Sequence, residues 1–316
     1  MAVLLLEPVG YSPRAIATYG RLGAVWCGEA PPGCETEVAV LVVRLAHHID
    51  GELLDRFPRL RCLATPTTGL THVDVKACRA RGVEVVSLGD CREAIDAVSS
   101  TSELALGLII ALLRHIPAAH ADVVFAGRWD RDRFRSRQLN RLSLGLVGLG
   151  RIGGHVAGYA RALGMQVSAF DPFQPEQRFS SLQVARVGEL RELAARSDIL
   201  SVHAALRDDN VNLIDRDVIA ALPAHALVVN TARGALVDEA AAVAALRAGR
   251  LGGMAADVLT EEHSGRGLDS SPLLTAARDG LNVILTPHIG GCTEDAMHIT
   301  EECVAERVVA RLRTPA

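Results

Sequence analysis

The sequence predicts an α/β protein made of two doubly wound parallel-sheet domains. Short apolar runs alternate with helical patterns along most of its 316 residues, the arrangement of parallel sheets covered by helices on both faces. Mid-chain, in the stretch Leu144–Gly153, an apolar strand passes straight into Gly148-Leu149-Gly150-Arg151-Ile152-Gly153, with a helix-like segment behind it. Roughly the first hundred residues repeat the strand–helix rhythm without that glycine pattern.

In chain order, strands are expected at Val3–Leu6, at Val38–Val43 ending on Arg44, at Leu60–Ala64 ending on Thr65-Pro66-Thr67-Thr68-Gly69, and at Val83–Val86, with a helix from about Pro13. A long helical stretch from about Ala94 to Phe125 follows, and it suits a bridge between the two sheets. Its apolar core, Leu104–Leu113, is about half a membrane span and reads as a buried helix.

The glycine pattern follows a strand and opens a helix, which points to a dinucleotide. Gly148 permits a tight turn, Gly150 lets backbone approach a pyrophosphate, and Gly153 lets helix lie close on strand. Arg151 and Ile152 begin the helix, whose unpaired N–H groups and partial positive charge suit phosphate. The next run, Met165–Phe170, ends in Asp171, at about the twenty-residue spacing of the carboxylate that accepts ribose hydroxyls. An acid there repels a 2′-phosphate, so NAD is expected over NADP, and this half is a Rossmann NAD-binding domain.

Further strand ends are polar. Ile199–Val202 ends at His203, Ala226–Val229 at Asn230-Thr231-Ala232-Arg233-Gly234, Gly252–Ala256 at Asp257, and Asn282–Leu285 at Thr286-Pro287-His288. Ligands of open parallel sheets bind outside the carboxyl ends of the strands, so these residues are expected to converge on one crevice. The segment 293–313 is helical, with Ile299, Val304, Val308 and Leu312 along one side, and is expected to return to the first domain. That divides the chain into a discontinuous substrate domain, 1–97 with 290–316, and a dinucleotide-binding domain, 98–289.

Composition narrows the function classes. A formal net charge of -4 gives no reason to expect nucleic acid or a membrane as partner. The N-terminal apolar run, Ala2–Leu6, is too short for a signal peptide. Seven cysteines without C-x-x-C spacing suggest neither a disulfide framework nor a metal site, and fit a cytoplasmic setting.

Gly148–Gly153, Asn230–Gly234, Asp257-Val258 with Glu262 five residues on, and Thr286-Pro287-His288-Ile289-Gly290-Gly291 together resemble the successive signatures of the D-isomer-specific 2-hydroxyacid dehydrogenases. The similarity is to the phosphoglycerate dehydrogenase-like branch, without the regulatory domain of its longer members. The resemblance implies hydride transfer between NAD and a small 2-oxo or 2-hydroxy acid, D-stereospecific, by a homodimer whose substrate domain is flavodoxin-like. It also implies roles for particular residues: Arg233, Glu262 and His288 in catalysis; Asp257 at the nicotinamide; Thr231, Ala232 and Gly290 on the cofactor side; and the backbone of Thr67, Thr68 and Gly69 at the substrate carboxylate. His203 reads as a cofactor-side or a structural residue, because Ala205 replaces the proline that usually follows it. Arg44 matches an arginine that binds substrate phosphate in phosphoglycerate dehydrogenases, although Leu45-Ala46-His47 replaces the rest of that pattern.

The chemistry of the side chains agrees with these roles. A guanidinium grips a carboxylate with two prongs and stays charged, which suits Arg233. Imidazole exchanges a proton near neutrality, which suits His288, and a neighbouring carboxylate raises its pKa. By register that carboxylate is Glu262, but Glu261 precedes it and His263 replaces the usual proline, so either glutamate can serve. Arginines 128, 131, 133, 135, 137 and 141 crowd around Trp129 and Phe134; they read as solvated surface, or as reaching across a dimer to an anionic substrate. A dinucleotide-sensing corepressor of the same fold is the competing reading, since such a protein can retain the same triad.

Overall fold

In the computed structural model, which describes residues 1–91, 95–260, 262 and 268–313, the chain divides into two compact units: Met1–Val98 with Gly291–Ala316, and Ser99–Gly290. Each is built on a parallel sheet, the class the apolar periodicity predicts.

The first unit contains β1 (Ala2–Leu5), β2 (Ala24–Cys27), β3 (Val38–Val42), β4 (Cys62–Ala64) and β5 (Glu84–Val86), in the order β2-β1-β3-β4-β5. This is the flavodoxin-like order, with every pairing parallel. Strands β1, β3 and β4 are buried at every position because helices cover both faces. Helix α1 (Pro13–Tyr19) starts at Ser12, whose side chain accepts the Ala15 N–H, and proline occupies its first turn. Helices α2 (Gly51–Asp55) and α3 (Val75–Ala80) are capped in the same way by Asp50 and Asp74.

In the second unit, α4 (Ser100–Leu113) and α5 (Ile116–Ala126) replace the single long helix expected there. The break is at His115, whose φ is 52°, in the left-handed region. Pro117 explains it: proline has no N–H to donate to the Leu113 carbonyl and its ring clashes there, so α4 cannot run on through it. Ala94, where the stretch was expected to begin, lies outside the described residues. Among the described residues no single helix is long and apolar enough to cross a membrane, and α4 buries Ala105, Leu108, Ile109 and Leu112 against the sheet.

The second sheet has seven parallel strands: β6 (Ser143–Val147), β7 (Gln166–Phe170), β8 (Ala185–Arg186), β9 (Ile199–Val202), β10 (Ala226–Asn230), β11 (Leu251–Ala256) and β12 (Val283–Leu285). Their order, β12-β11-β10-β9-β6-β7-β8, reverses direction between β6 and β9, the switch point where a doubly wound sheet opens a crevice. Helix α6 (Arg151–Ala162) follows β6, and α7 (Glu176–Leu182), α8 (Leu190–Ala195), α9 (Arg216–Ala221), α10 (Glu239–Arg247) and α11 (Pro272–Arg278) connect later strands. Two apolar clusters, one on each face, form the core.

The last helix, α12 (Glu294–Arg313), belongs to the first unit and sets Val304, Ala305 and Val308 into the cluster of Val3, Leu5 and Tyr19, with Leu312 partly buried beside them. Cysteine spacing gives no sign of a bridge, yet Cys91 and Cys303 form a disulfide with Cα atoms 6.3 Å apart and 212 residues between them in sequence. A pairing at that separation depends on how α12 returns to the sheet, which spacing does not encode. Among the described residues no cluster of His, Cys, Asp or Glu is arranged to hold a metal.

Candidate active site

The phosphate loop forms where β6 ends. Gly148 has a φ of 95°, and a Cβ on it would lie 2.8 Å from the Ala204 nitrogen; only glycine fits. A Cβ on Gly153 would lie 2.2 Å from the Gly148 oxygen, so helix and strand touch through backbone. Gly150 is the N-cap of α6, has no side-chain cap, and faces open space where its Cβ would be. Open space and uncapped helical N–H groups suit an approaching phosphate.

At the end of β7, one Asp171 oxygen accepts the Leu149 N–H at 2.8 Å and the other accepts the Phe173 N–H at 2.9 Å. The carboxylate is thereby fixed beside the loop. Sequence reasoning missed Arg178 of α7, which donates to the Leu149 and Gly150 carbonyls at 3.2 and 2.9 Å and brings a cation to the loop. No motif marks it, because it arrives from a neighbouring helix. The Arg207 guanidinium covers the Phe173 ring at 4.3 Å.

His203, at the end of β9, has its Nε2 2.8 Å from Ser201 Oγ. Its Nδ1 is enclosed without a partner among the described residues. Burial lowers its pKa to about 4, so it stays neutral at ordinary pH. These are the properties of a structural or cofactor-side histidine.

Strand β10 delivers the Asn230-Thr231-Ala232-Arg233 turn. Asn230 accepts the Ala232 N–H at 3.0 Å and donates to the Arg233 carbonyl at 2.9 Å, closing the turn with one side chain. Thr231 Oγ1, just beyond β10, is buried with no partner among the described residues, an orphaned hydroxyl that a bound group can satisfy. Arg233 donates to the Ala232 carbonyl at 2.6 Å and is half-buried. No carboxylate pairs with it among the described residues, so its charge is available to an anion. Gly234 must be glycine, since a Cβ there would lie 2.0 Å from the Leu259 carbonyl carbon.

At the end of β11, Asp257 is buried and builds the next turn. Its Oδ1 accepts from Thr286 Oγ1 at 2.6 Å and from the Ile289 N–H at 2.8 Å, and its Oδ2 accepts the Gly290 N–H at 2.7 Å. A Cβ on Gly290 would crowd that Oδ2 at 3.0 Å. His288, just beyond β12, has a φ of 54° and lies with its Nδ1 3.2 Å from the Glu262 carboxylate. Glu261 and His263 lie outside the described residues, so the described partner of His288 is Glu262.

In the first unit, the Thr67 hydroxyl donates to the Gly69 carbonyl and meets Thr65 Oγ1, each at 2.9 Å. The N–H groups of Thr67, Thr68 and Gly69 donate to nothing among the described residues. Arg44 is already engaged: it donates to the Glu7 and Val9 carbonyls at 2.6 Å each, lies 3.5 Å from the buried Glu301 carboxylate, and covers the Tyr11 ring at 5.5 Å. In the arginine-rich stretch, Arg128 and Arg133 both grip Asp122, Arg137 pairs with Asp198, and Arg135 pairs with Asp132.

Comparison with known proteins bears on the family and the fold. The family model for the D-isomer specific 2-hydroxyacid dehydrogenase, NAD binding domain, matches residues 106–290. A D-3-phosphoglycerate dehydrogenase of Methanocaldococcus jannaschii is 36% identical over 274 residues, which are 87% of this chain and 50% of that protein. An (S)-sulfolactate dehydrogenase of Chromohalobacter salexigens is 36% identical over 259 residues, 82% of this chain and 80% of that protein. The chain thus spans about half the length of the phosphoglycerate dehydrogenases it matches. Among solved structures, a D-lactate dehydrogenase of Aquifex aeolicus, complexed with NAD and lactic acid, superposes with a TM-score of 0.80 at 24% identity, over 99% of this chain and 96% of that one.

Proposed function

The chain belongs to the D-isomer-specific 2-hydroxyacid dehydrogenase family, and from that premise we propose that it interconverts a small 2-oxo acid and the D-2-hydroxy acid with NAD as hydride carrier. The observation that carries this reading is the His288–Glu262 contact at 3.2 Å, beside strand ends that also present an arginine with no acidic partner among the described residues.

In the reduction, Arg233 holds the substrate carboxylate and draws electron density toward the carbonyl oxygen. Bound NADH supplies the hydride. As negative charge gathers on the oxygen, His288 donates a proton from Nε2, and Glu262 at Nδ1 stabilises the imidazolium and fixes its orientation. In the oxidation the same imidazole removes the hydroxyl proton. One proton and one hydride add across the carbonyl, so NADH, a proton and the 2-oxo acid balance NAD⁺ and the 2-hydroxy acid.

The cofactor would be held by Gly148, Gly150 and Gly153 with the first turn of α6 at Arg151 and Ile152, by Asp171 at the adenosine ribose, and by Thr231, Ala232, His203, Asp257 and Gly290 near the nicotinamide. The open N–H groups of Thr67, Thr68 and Gly69 suit a carboxylate. Relatives named for phosphoglycerate and sulfolactate support a substrate with a second anionic group. Arg44 and the arginines of 128–141 are the candidates to read that group, Arg44 only by exchanging its present partners.

A homodimer is part of the same reading. Helix α5 and the segment after it expose Ile116, Val123, Val124, Phe125 and Trp129, an apolar surface of the kind that a second copy covers. The net charge favours neither nucleic acid nor membrane as partner, and the cytoplasm is the proposed setting.

The test is NADH oxidation with a panel of neutral, phosphorylated and sulfonated 2-oxo acids. Turnover, faster with the anionic members, is the expected result. NADH binding with no turnover of any 2-oxo acid overturns the proposal in favour of a dinucleotide sensor.

A further inference from the structure

A second carboxylate lies behind the catalytic candidates. Glu239 is the first residue of α10, but Asp238 already caps that helix by accepting the Ala241 N–H, so Glu239 is left to face the other way. It is buried at 7% exposure. No cation pairs with it among the described residues; three hydrogen bonds satisfy it instead. Its Oε1 accepts the Thr260 N–H at 2.8 Å and the Thr260 hydroxyl at 3.0 Å, and its Oε2 accepts the Ser271 hydroxyl at 3.4 Å.

Those donors bracket the segment that carries Glu262. Thr260 stands just before Glu262, and Ser271 is the N-cap of α11 beyond it. One carboxylate therefore ties Thr260 and Ser271, described residues on either side of Glu262 in sequence, to α10. The Leu259–Thr260 peptide is also fixed from its other side, since it lies against Gly234 with no room for a side chain. Glu262 is held by Leu259 on both sides: its N–H donates to the Leu259 carbonyl of that same peptide at 3.4 Å, and its Oε2 accepts the Leu259 N–H of the preceding peptide at 3.4 Å. The turn bearing Arg233 and the loop bearing Glu262 thus share one anchored peptide.

We propose that Glu239 is a positioning residue, acting through Thr260 and Ser271 to hold Glu262 at its distance from His288. A carboxylate suits this task because it accepts several N–H and O–H donors at once, and hydrogen bonds to a charged acceptor are the stronger ones. The inference rests on the proposed pairing of Glu262 with His288 in proton transfer.

The experiment measures steady-state reduction of a 2-oxo acid across pH, with NADH binding measured alongside, for Glu239→Ala, Glu239→Gln and Glu262→Gln. Glu239→Ala is expected to lower kcat roughly 10–100-fold, the scale of a misplaced catalytic group, while NADH binding stays within about twofold of wild type. Glu239→Gln keeps an acceptor for Thr260 and should restore most of the rate. The inference is overturned if Glu239→Ala keeps the wild-type rate and profile while Glu262→Gln is impaired, or if Glu239→Ala and Glu239→Gln lose rate and NADH binding together. A wild-type rate and profile in Glu262→Gln is a different failure, since it removes the role of Glu262 on which the inference rests.

Discussion

Asp257 carries His288. The carbonyl oxygen of Asp257 accepts the His288 N–H at 2.9 Å, while its carboxylate holds the next two N–H groups, those of Ile289 and Gly290. The imidazole therefore leaves the backbone from a left-handed conformation, φ 54°, that a histidine seldom adopts unsupported.

Asp257→Ala should accordingly release the turn. Three donors lose a charged acceptor, and hydrogen bonds to charged groups contribute about 1.5–3 kcal/mol each when they are removed singly. Chemical denaturation should show a loss of several kcal/mol, and turnover should fall with it. An Asp257→Ala protein of wild-type stability and rate contradicts this account of the turn.

Two glycines of the phosphate loop should behave differently. Gly148→Ala forces a Cβ onto the Ala204 backbone at a φ of 95°, so it should lower stability before any ligand is considered. At Gly150 a Cβ meets nothing within 4 Å, so Gly150→Ala should melt like wild type and weaken NADH binding, roughly tenfold or more if the methyl occupies the place of a phosphate oxygen. Calorimetry of both variants, each melted and titrated with NADH, separates the two effects. Equal NADH affinity in Gly150→Ala and wild type would place the pyrophosphate elsewhere.

His203 gives the stability a pH dependence. Its folded pKa is depressed to about 4 by burial, against 6.5 for an unhindered imidazole. Below pH 6.5 the unfolded chain binds a proton that the folded protein refuses, so its contribution to stability is complete above about 6.5 and declines as pH falls toward 4. The span is at most about 3 kcal/mol. Denaturation midpoints between pH 4 and 8 should show this decline in wild type, and a shallower one in His203→Gln. Parallel curves for the two proteins contradict the assignment.

Much of this architecture is legible in the residues because the signals are local. The run Leu144–Gly153 joins strand, turn and helix within ten positions, and Pro287-His288-Ile289-Gly290 marks a strand end without reference to the rest of the chain. The edge strands β2 and β8 escape such reading. Ala24–Cys27 is partly exposed along its length and Ala185–Arg186 is only two residues long, so neither shows a run of buried apolar positions. Contacts made across long separations escape it too. Arg178 reaches the phosphate loop from α7, Glu239 reaches Thr260 and Ser271, and Cys91 meets Cys303, each through packing that no spacing encodes. The break at His115 is different, since Pro117 stands in the sequence and a proline cannot donate to the carbonyl four residues before it.

The most direct measurement is the pH dependence of 2-oxo acid reduction by wild type, His288→Gln and Arg233→Ala, with NADH affinity determined for each. The account predicts NADH affinities within a few-fold of one another. It predicts a fall in kcat of roughly 10²–10⁴ in His288→Gln, with a pH profile that differs from wild type, and a fall in kcat/KM of at least about a hundredfold in Arg233→Ala. A His288→Gln enzyme that turns over within a few-fold of wild type, with the same pH profile, contradicts the central claim that this imidazole exchanges the proton.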